Sequence, residues 1–144
     1  MADIVQEFTI KAPQERVFEM FATPKGLDAW WTKSSSGEAR EGAEFKLDFG
    51  PGHEWRAKVT RCNPGWVFEL LMTDAQEDWQ RTRVGCELQP DHHDATRVRF
   101  YHIGWPKQNE HWRVSCFCWA MYLRLLRRYL EYGEFVPYEK RLEA

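Results

Sequence analysis

The hydrophobic period changes along this chain, and the order of the changes limits the folds open to it. From Gly42 to Ile103 apolar residues recur at every second position. Phe45, Leu47 and Phe49 alternate with Glu44, Lys46 and Asp48. Beyond Gly50-Pro51-Gly52, Trp55, Ala57 and Val59 alternate with Glu54, Arg56, Lys58 and Thr60. Asn63-Pro64-Gly65 turns the chain into Trp66, Phe68, Leu70 and Met72, and the polar stretch Thr73 to Asp78 reads as a loop. Thr82, Val84, Cys86 and Leu88 share the next face. Pro90 to Asp94 turns again, into Thr96, Val98, Phe100 and His102. Side chains along a strand point alternately to its two faces, so the pattern predicts five consecutive strands in an antiparallel meander with one wet face.

The flanks differ. Ahead of the meander, Ile4, Phe8 and Ile10 share one face of a further strand, opposite Val5, Glu7, Thr9 and Lys11. Pro13 suits the first turn of a helix carrying Val17, Phe18 and Phe21. Thr23-Pro24 stops that helix and starts another, with Leu27, Trp30 and Trp31 at i, i+3 and i+4. Ser34-Ser35-Ser36-Gly37 reads as a short polar loop. After the meander comes one long helix, from about Asn109 to Tyr132, with Gly133 as a left-handed cap. Trp112, Cys116, Trp119, Leu123, Leu126 and Leu130 form its buried stripe, and the all-round apolar stretch Cys116 to Leu123 predicts cover on more than one side.

These elements assemble into a single α+β domain over 1–144: a curved antiparallel six-stranded sheet wrapped around a long C-terminal helix, with two short helices after the first strand. Such a sheet need not fill its interior with side chains. A gap between helix and concave face, opening near the short helices, is where an apolar pocket is expected.

Several segments give this architecture a likeness. They are Ile10-Lys11-Ala12-Pro13 with Arg16-Val17-Phe18, then Pro24, Leu27 and Trp30-Trp31, then Gly104-Trp105. Near the end Ser115, Cys118-Trp119-Ala120, Tyr122-Leu123, Tyr129-Leu130-Glu131 and Gly133-Glu134 complete it. On these the chain resembles the START-like helix-grip (SRPBCC) superfamily. Within it, the chain is similar to single-domain relatives of the C-terminal domain of the heat-shock-protein-90 ATPase activator. The resemblance implies a hydrophobic cavity for small apolar molecules or lipids and no fixed set of catalytic residues.

Composition agrees with a cavity wall. Eight tryptophans, nine phenylalanines and five tyrosines make 15% of the chain aromatic. By parity the inward set is Phe45, Leu47, Trp55, Val59, Phe68, Leu70, Met72, Val84 and Phe100, joined by Trp119 and Tyr122 from the closing helix. Trp30 and Trp31 are candidates for a gate: neighbours on a helix diverge by about 100°, so one ring is expected inside and the other at the surface. His102 shares the inward face and could anchor a ligand's polar end or move a proton, since its ordinary pKa lies near ~6.5. Ser115 and Tyr122, on one face of the helix, add hydroxyls.

Other chemistries find less. His92 and His93 beside Asp91 and Asp94 sit at a hairpin tip without a ligand from a second element, so no metal is expected. Asp74, Glu77 and Asp78 have no required partner as glycosidase carboxylates, and Ser115 lacks a nucleophile elbow. Arg81, Arg83, Arg97 and Arg99 share an outer face with Glu54, Glu69 and Glu87, which reads as a salt-bridged surface. Twenty basic against 22 acidic residues leave a net charge of −2, which argues against nucleic acid. No apolar run reaches the ~18 residues of a membrane span, and the acidic start does not read as a secretory signal. Cys62, Cys86, Cys116 and Cys118 read as reduced thiols in a cytoplasm.

The functional expectation is non-enzymatic binding of a small hydrophobic or aromatic molecule in a central cavity, without cofactor. The alternatives are a cyclase- or lyase-type enzyme using His102, Tyr122 or Ser115, and a co-chaperone-like protein-binding module. Partners beyond the small molecule would be a second copy, met through the closing helix, or a chaperone.

Overall fold

Alternating strands joined by tight turns pair with their neighbours in sequence, and here they build one sheet. The computed structural model describes residues 2–144. Its strands are β1 (Ala2–Ile10), β2 (Ser34–Ser36), β3 (Glu44–Asp48), β4 (Glu54–Asn63), β5 (Val67–Asp74), β6 (Arg83–Pro90) and β7 (Thr96–Trp105). All pairs are antiparallel, in the order β1-β7-β6-β5-β4-β3-β2. The first strand therefore closes on the last, and β2 forms the opposite edge. The curved sheet and the long C-terminal helix match the architecture read from the sequence, with seven strands instead of six.

The additional strand is the serine run. Its side chains carry no apolar alternation, so periodicity could not reveal it. Backbone pairing to β3 (Ser34 opposite Asp48, Ser36 opposite Lys46) makes it a strand. Ser35 also ties it inward, its hydroxyl donating to Asp28 Oδ1 at 2.8 Å. Gly37 ends it where the Phe45 ring would stand 2.6 Å from a Cβ, at a φ of +151° that favours glycine.

Between β1 and β2 lie α1 (Gln14–Ala22) and α2 (Pro24–Trp30). Thr23 caps α2 by accepting from Gly26 N at 3.0 Å, with Pro24 in the first turn. The closing helix α3 (Glu110–Tyr132) starts at Asn109, whose side chain accepts from Trp112 N. It ends at Gly133 with φ 69°. Trp119, Leu123, Leu126 and Leu130 are buried, while Trp112 and Cys116 at the head of the stripe are half-buried. The all-round cover expected over Cys116 to Leu123 is absent. Within that stretch Phe117 is 75% exposed, and just ahead of it Val114 is 50% exposed. The sheet reaches only one side of α3, and its far side faces solvent.

The convex face carries two pairs from the expected set, Arg83 to Glu69 at 3.0 Å and Arg99 to Glu87 at 3.9 Å, and one outside it, Arg61 to Glu87 at 3.3 Å, while Arg97 and Glu54 form no ion pair among the described residues. Arg81 does not join the pairs either, since it lies in a turn at φ 66°. Glu69 and Tyr101 are buried even on this outer face. Tyr101 lies across Gly85, where a Cβ would stand 2.7 Å from its hydroxyl. That hydroxyl donates to Glu69 Oε2 at 2.6 Å. Burial alone would raise the Glu69 carboxyl. Hydrogen bonds from Tyr101, Thr60 and Arg83 outweigh it and hold the group below the usual range.

Candidate functional site

The concave side of the sheet and α3 meet in a nexus of indole rings centred on Trp119. Trp31 packs against it at 5.1 Å between centroids, Trp79 stacks at 5.7 Å and 20°, and Phe100 closes to 4.6 Å. Trp55 reaches Trp79 at 5.1 Å, and His102 meets Trp79 edge-on at 4.5 Å. Trp105 lies 4.9 Å beyond the histidine. Such pairs add roughly 0.5–1.5 kcal/mol each beyond their buried area.

Trp30 and Trp31 are both buried, at 1% and 4% exposure. This corrects the expected division of one ring inside and one at the surface. The 100° rule holds only inside a helix, and Trp31 has left it, with φ −121° and ψ −66° at the C-terminus of α2. The two rings therefore stack at 6.2 Å and 28°. Trp30 anchors through its indole N–H to Met20 O at 2.9 Å.

His102 is buried, with both ring nitrogens engaged. Trp119 Nε1 donates to Nδ1 at 3.1 Å, so the proton must sit on Nε2, which donates to Thr82 Oγ1 at 2.8 Å. Thr82 in turn donates to the Trp79 carbonyl at 2.6 Å. Burial, aided by the nearby His111, pushes the His102 pKa down to about 3. A neutral imidazole with no free lone pair ties the turn before β6 to β7 and α3. In this arrangement it cannot shuttle a proton.

The expected cavity is almost closed. Between α2 and the sheet remains a void of about 10 Å³, lined by Phe21, Leu27, Trp30, Trp31, Phe68, Leu70, Val84, Gly85 and Phe100. That is the space of at most one water, short of a benzene ring. Phe68, Leu70, Val84 and Phe100 line the void from the face parity gave them, and Trp30 and Trp31 line it from the α2 side. Phe45, Leu47, Val59 and Met72 are buried core away from it, and Trp55 is half-buried against Phe49 and Trp79. Ser115 is buried on α3, while Tyr122 packs on Trp119 at 6.5 Å, its hydroxyl pushed up to about 12 by burial and the neighbouring Tyr138. His102, Ser115, Trp119 and Tyr122 do not touch the void.

Sequence parity missed Trp79 and His111. Trp79 lies in a 3-10 turn (Glu77–Trp79) beyond any strand's alternation. Asp78, from the same turn, accepts from Asn109 Nδ2 at 3.1 Å and pairs with His111 Nδ1 at 3.0 Å. Those bonds hold the Asp78 carboxyl below its ordinary range. They latch the β5–β6 connection to the start of α3. The only sequence signal was the spacing of Asn109 and His111 around the helix start.

A larger groove of about 610 Å³ opens at the β2–β4 end, lined by Ser34, Ser36, Lys46, Asp48, Glu54, Arg56 and Asp74 among others. It is open to solvent, and Leu47 and Trp55 from the inward set share its mixed polar and apolar lining. Among the described residues no group of three His, Cys, Asp or Glu is placed to hold a metal. All four cysteines are unpaired. No helix among the described residues is long and apolar enough to cross a membrane.

A curved antiparallel sheet gripping a long C-terminal helix, with two short helices over its mouth, defines a helix-grip protein. The chain belongs to the family described as activator of Hsp90 ATPase homolog 1-like protein, which matches residues 11–131. Among solved structures it is similar to the Aha1 dimer from Colwellia psychrerythraea, at 28% identity and a TM-score of 0.83, covering 93% of this chain and 99% of that one. Protein MLL2253 from Mesorhizobium loti shares the fold at 19% identity and a TM-score of 0.81, over 93% and 100% of the two chains. CalU16 from Micromonospora echinospora does so at 20% and 0.71, over 98% and 83%. No protein of curated function matches the sequence.

Proposed function

We propose that this protein binds a small planar apolar or aromatic molecule at the seam between α2 and the sheet, where the rings of Trp30 and Trp31 fill the ligand's place until it enters. The supporting observation is the void itself, whose whole lining is apolar and one wall of which is a helix of seven residues. At about 10 Å³ the void admits no ligand as it stands, so binding requires α2 to swing outward with its tryptophans. The polar attachments of that wall are the Thr23 cap, Trp30 to Met20 O, Ser35 to the Pro24 carbonyl, Ser35 and Thr32 to Asp28, and Arg141 to the Asp28 carbonyl. Catalysis through His102 has no support, since both its nitrogens are occupied. Four unpaired thiols fit a reducing, cytoplasmic setting.

The test is a titration with indole as probe, followed through the tryptophan side-chain N–H resonances. Saturable binding that moves the Trp30 and Trp31 signals, together with a retained small molecule in native mass spectrometry, is the expected result. Unmoved signals up to the solubility of indole would refute the reading and leave the interior as a packed core.

A further inference from the structure

The far side of α3 repeats the geometry of its buried side. Glu110, Val114, Phe117, Met121, Arg124 and Arg128 follow at spacings of four, three, four, three and four, which places them in one ridge along the helix. Glu110, Arg124 and Arg128 are exposed, Val114 is 50% and Phe117 75% exposed, and Met121 is half-buried. The C-terminal turn (Tyr138–Glu143) touches α3 but leaves these positions open. The ridge is thus acidic at its start, apolar in its middle and basic at its end.

That order is self-complementary in one direction only. When two such helices lie antiparallel about a two-fold axis level with residue 119, residues whose numbers are equally far from 119 face each other. Phe117 then meets Met121 of the other copy, and Val114 meets the aliphatic stem of Arg124. Glu110, about 13 Å from the axis at 1.5 Å per residue, meets Arg128. The ring–thioether contact is a favourable one. Arg128 engages Glu134 through Nε at 2.7 Å, which leaves its terminal nitrogens for the second carboxylate. A parallel arrangement would set Glu110 against Glu110 and Arg128 against Arg128, with the helix dipoles aligned.

We infer that this ridge is a self-docking surface, and that its partner is a second copy of this chain in an antiparallel, isologous α3–α3 contact. The apolar centre supplies the affinity and the terminal charges fix the direction. The area of one helix face is small, so the dimer is concentration-dependent.

Sedimentation velocity across a concentration series tests this. The wild-type mass should rise from one chain to two. Phe117→Glu, at an exposed position that leaves the fold intact by circular dichroism, should stay at one chain throughout. Glu110→Arg and Arg128→Glu should each weaken the dimer. An equimolar mixture of those two variants should regain it, because every facing pair is then of opposite charge. A wild type that remains a single chain at every concentration would overturn the proposal, and so would a dimer that survives Phe117→Glu. A mixture no heavier than its separate components would overturn the antiparallel register.

Discussion

Replacing His102 with glutamine isolates the one buried imidazole in this fold. The amide can still accept from Trp119 and donate to Thr82, but it does not titrate. In the wild type the folded state holds His102 neutral, its pKa depressed to about 3, while the unfolded chain titrates near the ordinary 6.5. Below pH 6.5 the unfolded state therefore binds a proton that the folded state refuses. Stability from this group is complete above the unfolded value and is lost as pH falls toward the folded one. Each unit costs about 1.4 kcal/mol. Between pH 7 and pH 4.5, about two units below the unfolded value, the wild type should lose about 2–3 kcal/mol relative to His102→Gln. Carboxylates such as Glu69 and Asp78 add their own acid sensitivity, but they are common to both proteins and cancel in the difference. Urea denaturation of the two proteins at several pH values, read by tryptophan fluorescence, gives the required pair of curves. At pH 7 the wild type should be the more stable, and the gap should narrow or reverse by pH 4.5. A gap independent of pH would mean that the imidazole is solvated or charge-paired, and the network drawn from Trp119, His102 and Thr82 would be wrong.

Two further perturbations test other parts of the fold. Gly85→Ala would put a methyl 2.7 Å from the Phe68 carbonyl and the Tyr101 hydroxyl, forcing Tyr101 off Glu69. The loss should be at least about 2 kcal/mol in urea denaturation, since a buried carboxylate then loses a partner. Arg141, at 1% exposure, donates to the carbonyls of Asp28 at 2.6 Å, Val136 at 3.0 Å and Thr32 at 3.1 Å. Arg141→Met should release the C-terminal segment from α2, costing about 2 kcal/mol and raising amide exchange over residues 135–144.

Much of the candidate site was legible because strand parity is a local property. Phe68, Leu70, Val84 and Phe100 point inward whatever the rest of the chain does, and the void is lined by all four. His102 was likewise placed on the inward face, but its role was not. Whether an inward histidine meets a ligand or a Trp119 N–H depends on a helix that begins eight residues later in sequence and returns across the sheet. Trp79 escaped notice for a related reason: a 3-10 turn has no period from which to read a face.

By itself the sequence determined the order of the helices and of the alternating strands, the caps at Thr23 and Gly133, and the side each of those strands turns to the core, because these follow from dihedral preference and period. Tertiary structure alone decided how far α3 stands from the sheet. At that distance indole rings fill the space where a cavity was expected, only a void of about 10 Å³ remains under α2, and Phe117 is left outside. The physical reason is that periodicity fixes directions, whereas volume is set by how rings from distant segments interdigitate once they meet. The serine run shows the same division, since backbone pairing needs only a neighbour, and the neighbour is supplied by the fold.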